Sequence, residues 1–321
     1  MRKILRSAGI WLMIVAVLPV QAHAARLLVP VGKVIGLQLH SDRLTVAAYD
    51  DVFGETARSA GLKIGDQIVE VDGREVTCVE DVRNALNSIQ PVELTVRRGS
   101  KLSSLSLTPR QTEEGPRMGV YLRQGISGIG TVTFYDAQTG QFGTLGHGVS
   151  DASGGLLKMT AGNAWEASVI SVKKGKPGDP GQLKGTAESP EIFGSLLRNT
   201  PQGVFGTTGQ GWEGNPIPTA LYSEIRPGSA KIRCQVEDAA VREYSAEILK
   251  IYPETRTDGR NFLIRITDPE LLECTGGIVQ GMSGSPIIQD GKLVGAVTHV
   301  LVNDPTRGYG IYIENMLDAA A

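Results

Sequence analysis

The stretch GMSGSPII, Gly281 to Ile288, places a serine between glycines and ahead of a proline. Glycines on both sides of Ser283 allow the backbone to bend so that successive N–H groups point in one direction. A serine hydroxyl is a weak nucleophile until a base removes its proton, and donors must face the developing oxyanion. The stretch therefore predicts Ser283 as a nucleophile, with the amides of Gly281 and Ser283 as the oxyanion hole.

A plain Gly-Ser turn is the alternative interpretation of this stretch, and Ser285 offers a rival hydroxyl next to Pro286. The pattern resembles the G-D-S-G-G-P motif of chymotrypsin-like peptidases. Met282 departs from that motif, so an acid at this position does not lock the loop.

Three histidines follow the N-terminal segment: His40, His147 and His299. His147 lies in QFGTLGHGVSD, after a predicted strand and between glycines, and it precedes the serine as the chymotrypsin order requires. His299 lies within an apolar strand after the serine. We therefore predict His147 as the general base and His299 as a packed neighbour of the site.

Several aspartates between the histidine and the serine are candidates for the acid that orients the base: Asp151, Asp179, Asp238, Asp258 and Asp268. Asp151 is close to His147 and has a turn role as its alternative. Asp268 precedes a proline in ITDPELL, which is also the pattern of a helix N-cap. If Asp268 is only a cap, Asp151 or Asn199 becomes the next candidate.

The segment 30–110 resembles a PDZ domain of the bacterial, protease-associated kind, and AGLKIGDQIVEVDG is the motif that carries the resemblance. PDZ domains add a peptide to an open sheet edge and capture a carboxylate in a backbone nest. The resemblance implies that VIGLQL supplies this groove, through Val34, Ile35, Gly36 and Leu37. The alternative is that Gly36 only turns a strand. KVIGLQL and RLTVAAY read as two strands around a turn at Ser41-Asp42.

The polar segment 111–117 reads as a linker, and residues 118–321 form a run of short predicted strands and glycine-rich turns. About two hundred residues of this pattern favour a pair of β-barrels. The predicted fold is mainly β, with a PDZ domain followed by a chymotrypsin-like double β-barrel peptidase domain. Only PELLE and IENMLDAA read as helices in the second part.

Composition, charge and the N-terminal segment bear on the class of partner and on the cellular location of the protein. The chain has 321 residues and a formal net charge of -2, which gives no argument for a nucleic-acid partner, since such a partner would need a basic face. Residues 1–24 combine early basic residues, an apolar run and an Ala-His-Ala site, which predicts an export signal or an N-terminal anchor. The three cysteines, Cys78, Cys234 and Cys274, have no metal-binding spacing, and we expect neither a metal nor a cofactor.

The whole pattern resembles the stage IV sporulation protein B peptidases. The stretches that carry the resemblance are LGHGVSD, GSLLRNTPQGVFG and the long segment from ITDPELL to IYIENML, together with the preceding PDZ-like part. The resemblance implies a serine endopeptidase with a triad of His147, Asp268 and Ser283. It also implies export into the space between the two forespore membranes, and self-cleavage near the N-terminus under PDZ control.

The protein substrate implied by this resemblance is the regulator that holds an intramembrane metalloprotease inactive, so that cleavage activates a late mother-cell sigma factor. Two other functions are compatible with the residues. One is an envelope quality-control protease of broad substrate range, and the other is a catalytically inactive PDZ binding scaffold. A peptide C-terminus or extended segment is the expected partner of the PDZ groove.

Overall fold

The computed structural model of the protein describes residues 25–321 apart from residues 153, 238, 239 and 254, and only the backbone of residues 187–190. The predicted signal or anchor at residues 1–24 lies outside the described residues. Within the described part of the chain, no helix has both the length and the hydrophobicity needed to cross a bilayer.

Strands dominate the described residues. In chain order they are β1 (Leu27–Pro30), β2 (Val34–Tyr49), β3 (Gln67–Val71), β4 (Arg74–Glu75), β5 (Val92–Arg98), β6 (Lys101–Leu107), β7 (Arg110–Thr112), β8 (Gly115–Arg117), β9 (Val120–Asp136), β10 (Gln141–Thr144), β11 (Met159–Lys173), β12 (Gln182–Thr200), β13 (Gly203–Thr208), β14 (Ile217–Pro218), β15 (Gly228–Cys234), β16 (Arg242–Ile251), β17 (Phe262–Ile266), β18 (Pro286–Gln289), β19 (Lys292–Leu301) and β20 (Asp304–Tyr312).

The helices are short. They are α1 (Gly54–Ser59), α2 (Val79–Ala85), α3 (Pro269–Thr275) and α4 (Ile313–Ala320), with one 3-10 turn at Tyr222–Glu224. Helices α3 and α4 confirm the two helices predicted in the second half of the chain.

Two closed barrels form the peptidase part, as the sequence predicts. In the first barrel, antiparallel pairing runs β9–β10–β13–β12–β11–β2 and closes through the β2–β9 pair. In the second barrel the closed order is β15–β16–β17–β20–β19–β18. Each barrel has its own apolar core, and a further cluster that includes Leu28, Phe134, Phe205, Leu293 and Met316 lies between them.

The PDZ unit shares two long strands with the first barrel. The first half of β2 belongs to the barrel, and its second half pairs with β3 and with the beginning of β9. Strands β3, β5 and β6 and helices α1 and α2 complete this unit around a separate apolar core. Because β2 and β9 run through both units, the single-residue limits 30–110 and 118–321 stay predictions from the sequence.

A bulge replaces the turn that we expected at Ser41-Asp42. Strand β2 continues through these residues, and its register against β9 shifts between Leu39 and Leu44. Gly125 of β9 lies opposite the bulge with φ of 103°, and a Cβ there would be 2.0 Å from the carbonyl oxygen of Leu39. The close approach of the two backbones explains why β9 has glycine at this point.

The structure also corrects the predicted peptide groove at Val34, Ile35, Gly36 and Leu37. All four pair with β9 on one side, and the last three pair with β11 on the other, while the Val34 amide donates to Oε1 of Gln235. This part of β2 therefore has no free edge for an added strand. The side chains of Val34, Ile35 and Leu37 are buried in the barrel cores. This part of β2 lies inside the barrel because pairing with its neighbours satisfies its backbone hydrogen-bonding groups.

The segment 111–117, which we expected to be a linker, forms most of a short hairpin of β7 and β8. This hairpin leads directly into β9.

Replacement of Gly36 by alanine is predicted to destabilise the first barrel. A Cβ at Gly36 would lie 2.5 Å from Nε1 of Trp165 on β11, which is closer than real Cβ contacts. We expect a loss of about 1–3 kcal/mol of unfolding free energy, the usual cost of overpacking.

Gly128 provides the matched control, since it lies on β9 opposite Leu37 and an added Cβ meets nothing within 4 Å. Gly128→Ala is expected to change stability by less than about 0.5 kcal/mol. Denaturant unfolding measures both variants, and equal stability of the two would contradict the barrel assignment of VIGLQL.

Candidate active site

The loop that carries Ser283 is fastened to β9 by two buried threonines. The Thr131 amide donates to the carbonyl oxygen of Ser283 at 3.1 Å, and the Thr131 hydroxyl donates to that of Gly281 at 2.8 Å. The Thr133 hydroxyl donates to the carbonyl oxygen of Gly284 at 2.7 Å. Three carbonyl groups of this loop are therefore turned toward β9, which belongs to the other barrel.

Two amides of the same loop remain available for an oxyanion. Met282, Gly284 and Ser285 use their amides in hydrogen bonds to other carbonyl groups. The amides of Gly281 and Ser283 donate to no other group among the described residues. This is the arrangement that an oxyanion hole requires, at the two amides predicted from the sequence.

Glycine is required at Gly284 by close approach. Its φ is 97°, and a Cβ there would lie 2.0 Å from the carbonyl oxygen of Thr131. Met282, which stands where the usual motif has aspartate, is fully buried in the core of the second barrel. The two threonines thus hold this loop, as an acid does in the usual motif.

The Ser283 hydroxyl is partly accessible and donates to the carbonyl oxygen of Thr298 at 2.8 Å. The rival hydroxyl of Ser285 is fully buried and donates to the carbonyl oxygen of Met282 at 2.7 Å. Because a buried hydroxyl engaged inside its own turn cannot reach a substrate, the geometry favours Ser283 as the nucleophile.

The histidine loop meets the serine loop at β19. Leu145 and Gly146, just before His147, have φ of 69° and 66°. The Leu145 amide donates to the carbonyl oxygen of Thr131, the residue that also holds Ser283. The ring of His147 lies 5.3 Å from the ring of His299, which directly follows the residue that accepts the Ser283 hydroxyl.

Burial sets the protonation of both histidines. Desolvation lowers the pKa of His147 below its ordinary value, and the carbonyl group of Gly148 opposes this in part. Burial, and then the nearby His147, lower the pKa of His299 to about 4. Nδ1 of His147 lies 3.0 Å from the Gly148 carbonyl oxygen. A proton on Nδ1 therefore has an acceptor, which leaves Nε2 unprotonated and able to act as a base.

The structure does not bring Asp268 to the histidine. Asp268 caps α3, and its Oδ1 accepts from the amides of Glu270 and Leu271 at 3.1 and 3.2 Å. Its Oδ2 accepts from the amide of Ser245 at 3.1 Å. Both carboxylate oxygens are thus engaged by backbone amides away from His147. The cap alternative describes this geometry, and the triad role of Asp268 stays a prediction from family resemblance.

Other candidate orienters also have different partners. Asp179 pairs with Lys173 at 2.8 Å. Asp258, whose charge reaches His299, is held by two hydrogen bonds from Arg256 at 2.7 and 2.9 Å. Asp238 lies outside the described residues. Among the residues that the structure does describe, no group of three metal-ligating side chains is found.

The comparisons with known proteins agree with this geometry. The sequence model described as SpoIVB peptidase S55 matches residues 114–317, which is more than half of the chain. The chain belongs to the SpoIVB peptidase S55 family. It is a serine peptidase, and a PDZ domain model matches residues 34–108. The predicted fold, PDZ domain and peptidase class are thereby confirmed.

Curated relatives share only short regions with this S55 peptidase. It is 35% identical over 98 residues to the putative zinc metalloprotease Atu1380 of Agrobacterium fabrum, covering 30% of the chain and 25% of that protein. It is 35% identical over 57 residues to the serine protease HTRA1 of Xenopus laevis, covering 18% of the chain and 12% of that protein. The chain thus spans about a quarter or less of these relatives.

Among solved structures, the active form of the Rv3671c protease from M. tuberculosis aligns with a TM-score of 0.37 and 14% identity. The alignment covers 62% of this chain and 75% of that one.

The lowered pKa of His147 predicts how the rate of Ser283 labelling by a fluorophosphonate depends on pH. Because the pKa is lowered, the neutral imidazole persists as the pH falls below 6.5, the ordinary value. The labelling rate should fall only when the pH passes the lowered pKa, so the acid limb should lie below 6.5. A limb at or above 6.5 would contradict the buried base.

Asp268→Asn separates the cap from the triad role. Asparagine keeps one carbonyl oxygen for Glu270 and Leu271 but loses the bond from Ser245, so we expect a loss of about 0.5–2 kcal/mol of stability. If the cap is its whole role, as the geometry indicates, turnover should stay within about threefold of wild type, whereas loss of a triad acid costs about 10⁴-fold. A variant that melts like wild type but is inactive would establish Asp268 as the orienting acid.

Proposed function

We propose that this S55 peptidase is an exported signalling endopeptidase that cleaves the regulator of an intramembrane metalloprotease, in the space between the two forespore membranes. Family membership supports this proposal, and so does the predicted export signal at residues 1–24. The observation that carries the peptidase chemistry is the pair of unengaged amides at Gly281 and Ser283 beside an accessible serine hydroxyl.

In the proposed reaction, the Ser283 hydroxyl turns from the Thr298 carbonyl group toward Nε2 of His147 and gives up its proton there. The alkoxide attacks the scissile carbonyl carbon, and the amides of Gly281 and Ser283 stabilise the oxyanion. The protonated His147 then donates its proton to the leaving amine, and a water molecule hydrolyses the acyl-enzyme by the same path.

The peptide partner of the PDZ unit is proposed to lie between β9 and α2. Residues 120–124 of β9 pair with β2 on one edge only. A cavity of about 200 Å³ lies beside that part of β9, lined by Val79 and Val82 of α2, by Leu86 directly after this helix and by Tyr121. The amides of Met118 and Gly119 donate to no other described residue, which leaves donors for a carboxylate at one end. An extended peptide C-terminus suits this groove.

Self-cleavage tests the proposed function. Wild-type protein is incubated with the Ser283→Ala variant as substrate, and the fragments are identified by N-terminal sequencing. We expect one or a few cuts near the N-terminus, and a loss of about 10⁴-fold or more when both partners carry Ser283→Ala. Cleavage that persists at the wild-type rate would eliminate Ser283. Digestion of unfolded casein at many sites would instead favour a quality-control protease.

Val79→Gln tests the groove between β9 and α2. Val79 is an exposed apolar residue of α2 at the cavity, and its replacement should weaken binding of a C-terminal apolar peptide by about fivefold to tenfold. Leu102→Gln is the matched control, since Leu102 is exposed on β6 of the same unit and does not line the cavity. Equal peptide affinities of the two variants, measured by calorimetry, would contradict this groove as the peptide-binding site.

A further inference from the structure

Three polar side chains form a closed cluster where the PDZ unit meets the loop after His147. Arg43 comes from the bulge of β2, Gln67 begins β3, and Asp151 follows His147 by four residues. Nη1 of Arg43 lies 3.6 Å from Oδ2 of Asp151. Arg43 also donates to Oε1 of Gln67 at 3.4 Å, and Nε2 of Gln67 donates to Oδ2 of Asp151 at 3.4 Å. We refer to these three residues as the Arg43 cluster.

Burial makes the Arg43 cluster a strong constraint on the loop. The Asp151 side chain is 8% exposed and Gln67 is 4% exposed. A buried carboxylate that loses its cationic partner is strongly destabilised, because its charge is no longer compensated. Arg43, which is itself 39% exposed, and Gln67 therefore contribute to holding the loop at Asp151.

The histidine side of the same loop is fastened by Asn199. The Asn199 side chain accepts from the amide of Val149 at 2.9 Å and donates to the carbonyl groups of Val149 and Leu157 at 2.8 and 2.9 Å. The Asp151 amide donates to Gly155 at 2.8 Å. The first residue of the loop is Gly148, whose carbonyl group faces Nδ1 of His147. Asp151 and the acceptor that orients the histidine thus lie in one short loop, three residues apart.

We propose that Asp151 is a positioning residue, through which Arg43 and Gln67 of the PDZ unit hold the loop of the catalytic base. The proposal rests on the proposed function, in which His147 is that base. It assigns Asp151 a role different from the orienting acid considered from the sequence, since its carboxylate faces Arg43 and Gln67. The PDZ unit is thereby part of the support of the active site.

The test compares full-length Arg43→Gln, Asp151→Asn and the double variant, using self-cleavage kinetics and hydrogen exchange of the segment 147–157. We expect each single variant to lower kcat by about tenfold with KM within about twofold, because a misplaced base affects the chemical step and not substrate binding. The double variant should be no worse than the singles, because the two residues act as one unit. Arg43→Lys, which keeps the charge, should retain most of the turnover.

Lys158→Gln is the matched control. Lys158 pairs with Asp42 of the same bulge at 3.6 Å, but it is 71% exposed, and exposed pairs of this kind contribute little. This variant should keep the wild-type kcat and the wild-type exchange of the segment 147–157. In Arg43→Gln and Asp151→Asn the segment should exchange faster.

Two results would overturn the proposal. If Asp151→Asn loses about 10⁴-fold while Arg43→Gln is unaffected, Asp151 acts directly as the triad acid. If neither single variant changes the exchange of the segment 147–157, the Arg43 cluster does not hold the loop. Hydrogen exchange tests the role of the Arg43 cluster even if the wild-type protein shows no self-cleavage. Absence of self-cleavage would contradict the proposed function, which is a separate outcome.

Discussion

The hydrogen bonds from Thr131 and Thr133 of β9 to the serine loop are the interaction on which the site depends. They join the first barrel to the second and turn the carbonyl groups of Gly281, Ser283 and Gly284 away from the space where an oxyanion would form. The two threonines are fully buried, so their bonds are shielded from competition with water. The position of the loop that carries the proposed oxyanion hole therefore depends on barrel packing as well as on the loop itself.

Strand β9 also connects this arrangement with the PDZ unit. Its beginning forms one wall of the proposed peptide groove, and its end carries the threonines that hold the serine loop. Strand β2 runs beside it from the first barrel to the PDZ unit and supplies Arg43 at the bulge between them. Because two continuous strands serve both units, the PDZ unit and the first barrel belong to one hydrogen-bonded sheet. Their relative position is set by strand pairing.

The sequence was sufficient to predict local features with a short-range physical signature. The glycines around Ser283 and the Asp-Pro start of α3 both depend on neighbours in the chain, and the structure has a corresponding feature at each place. The alternating strands of residues 118–321 likewise predicted two barrels. The pairing closes both, but the first closes through β2, which precedes this segment.

Features that depend on distant pairing could not be predicted in this way. VIGLQL has the composition of a PDZ groove strand, but β11, more than one hundred residues later, covers the edge that a peptide would need. Thr131 and Thr133 alternate like ordinary strand residues, so nothing local marks them as partners of the serine loop. The sequence around Asp268 likewise suits both an N-cap and a triad acid. Only the tertiary structure shows which groups its oxygens meet.

A crystal structure of the protein after reaction with a fluorophosphonate is the most direct test of the central claim, that Ser283 and two backbone amides held by β9 form the catalytic centre. The account predicts a covalent bond to Oγ of Ser283. It also predicts that the phosphonyl oxygen accepts hydrogen bonds from the amides of Gly281 and Ser283, at about 2.7–3.1 Å. An adduct on another residue, or a phosphonyl oxygen that faces away from these two amides, would contradict it.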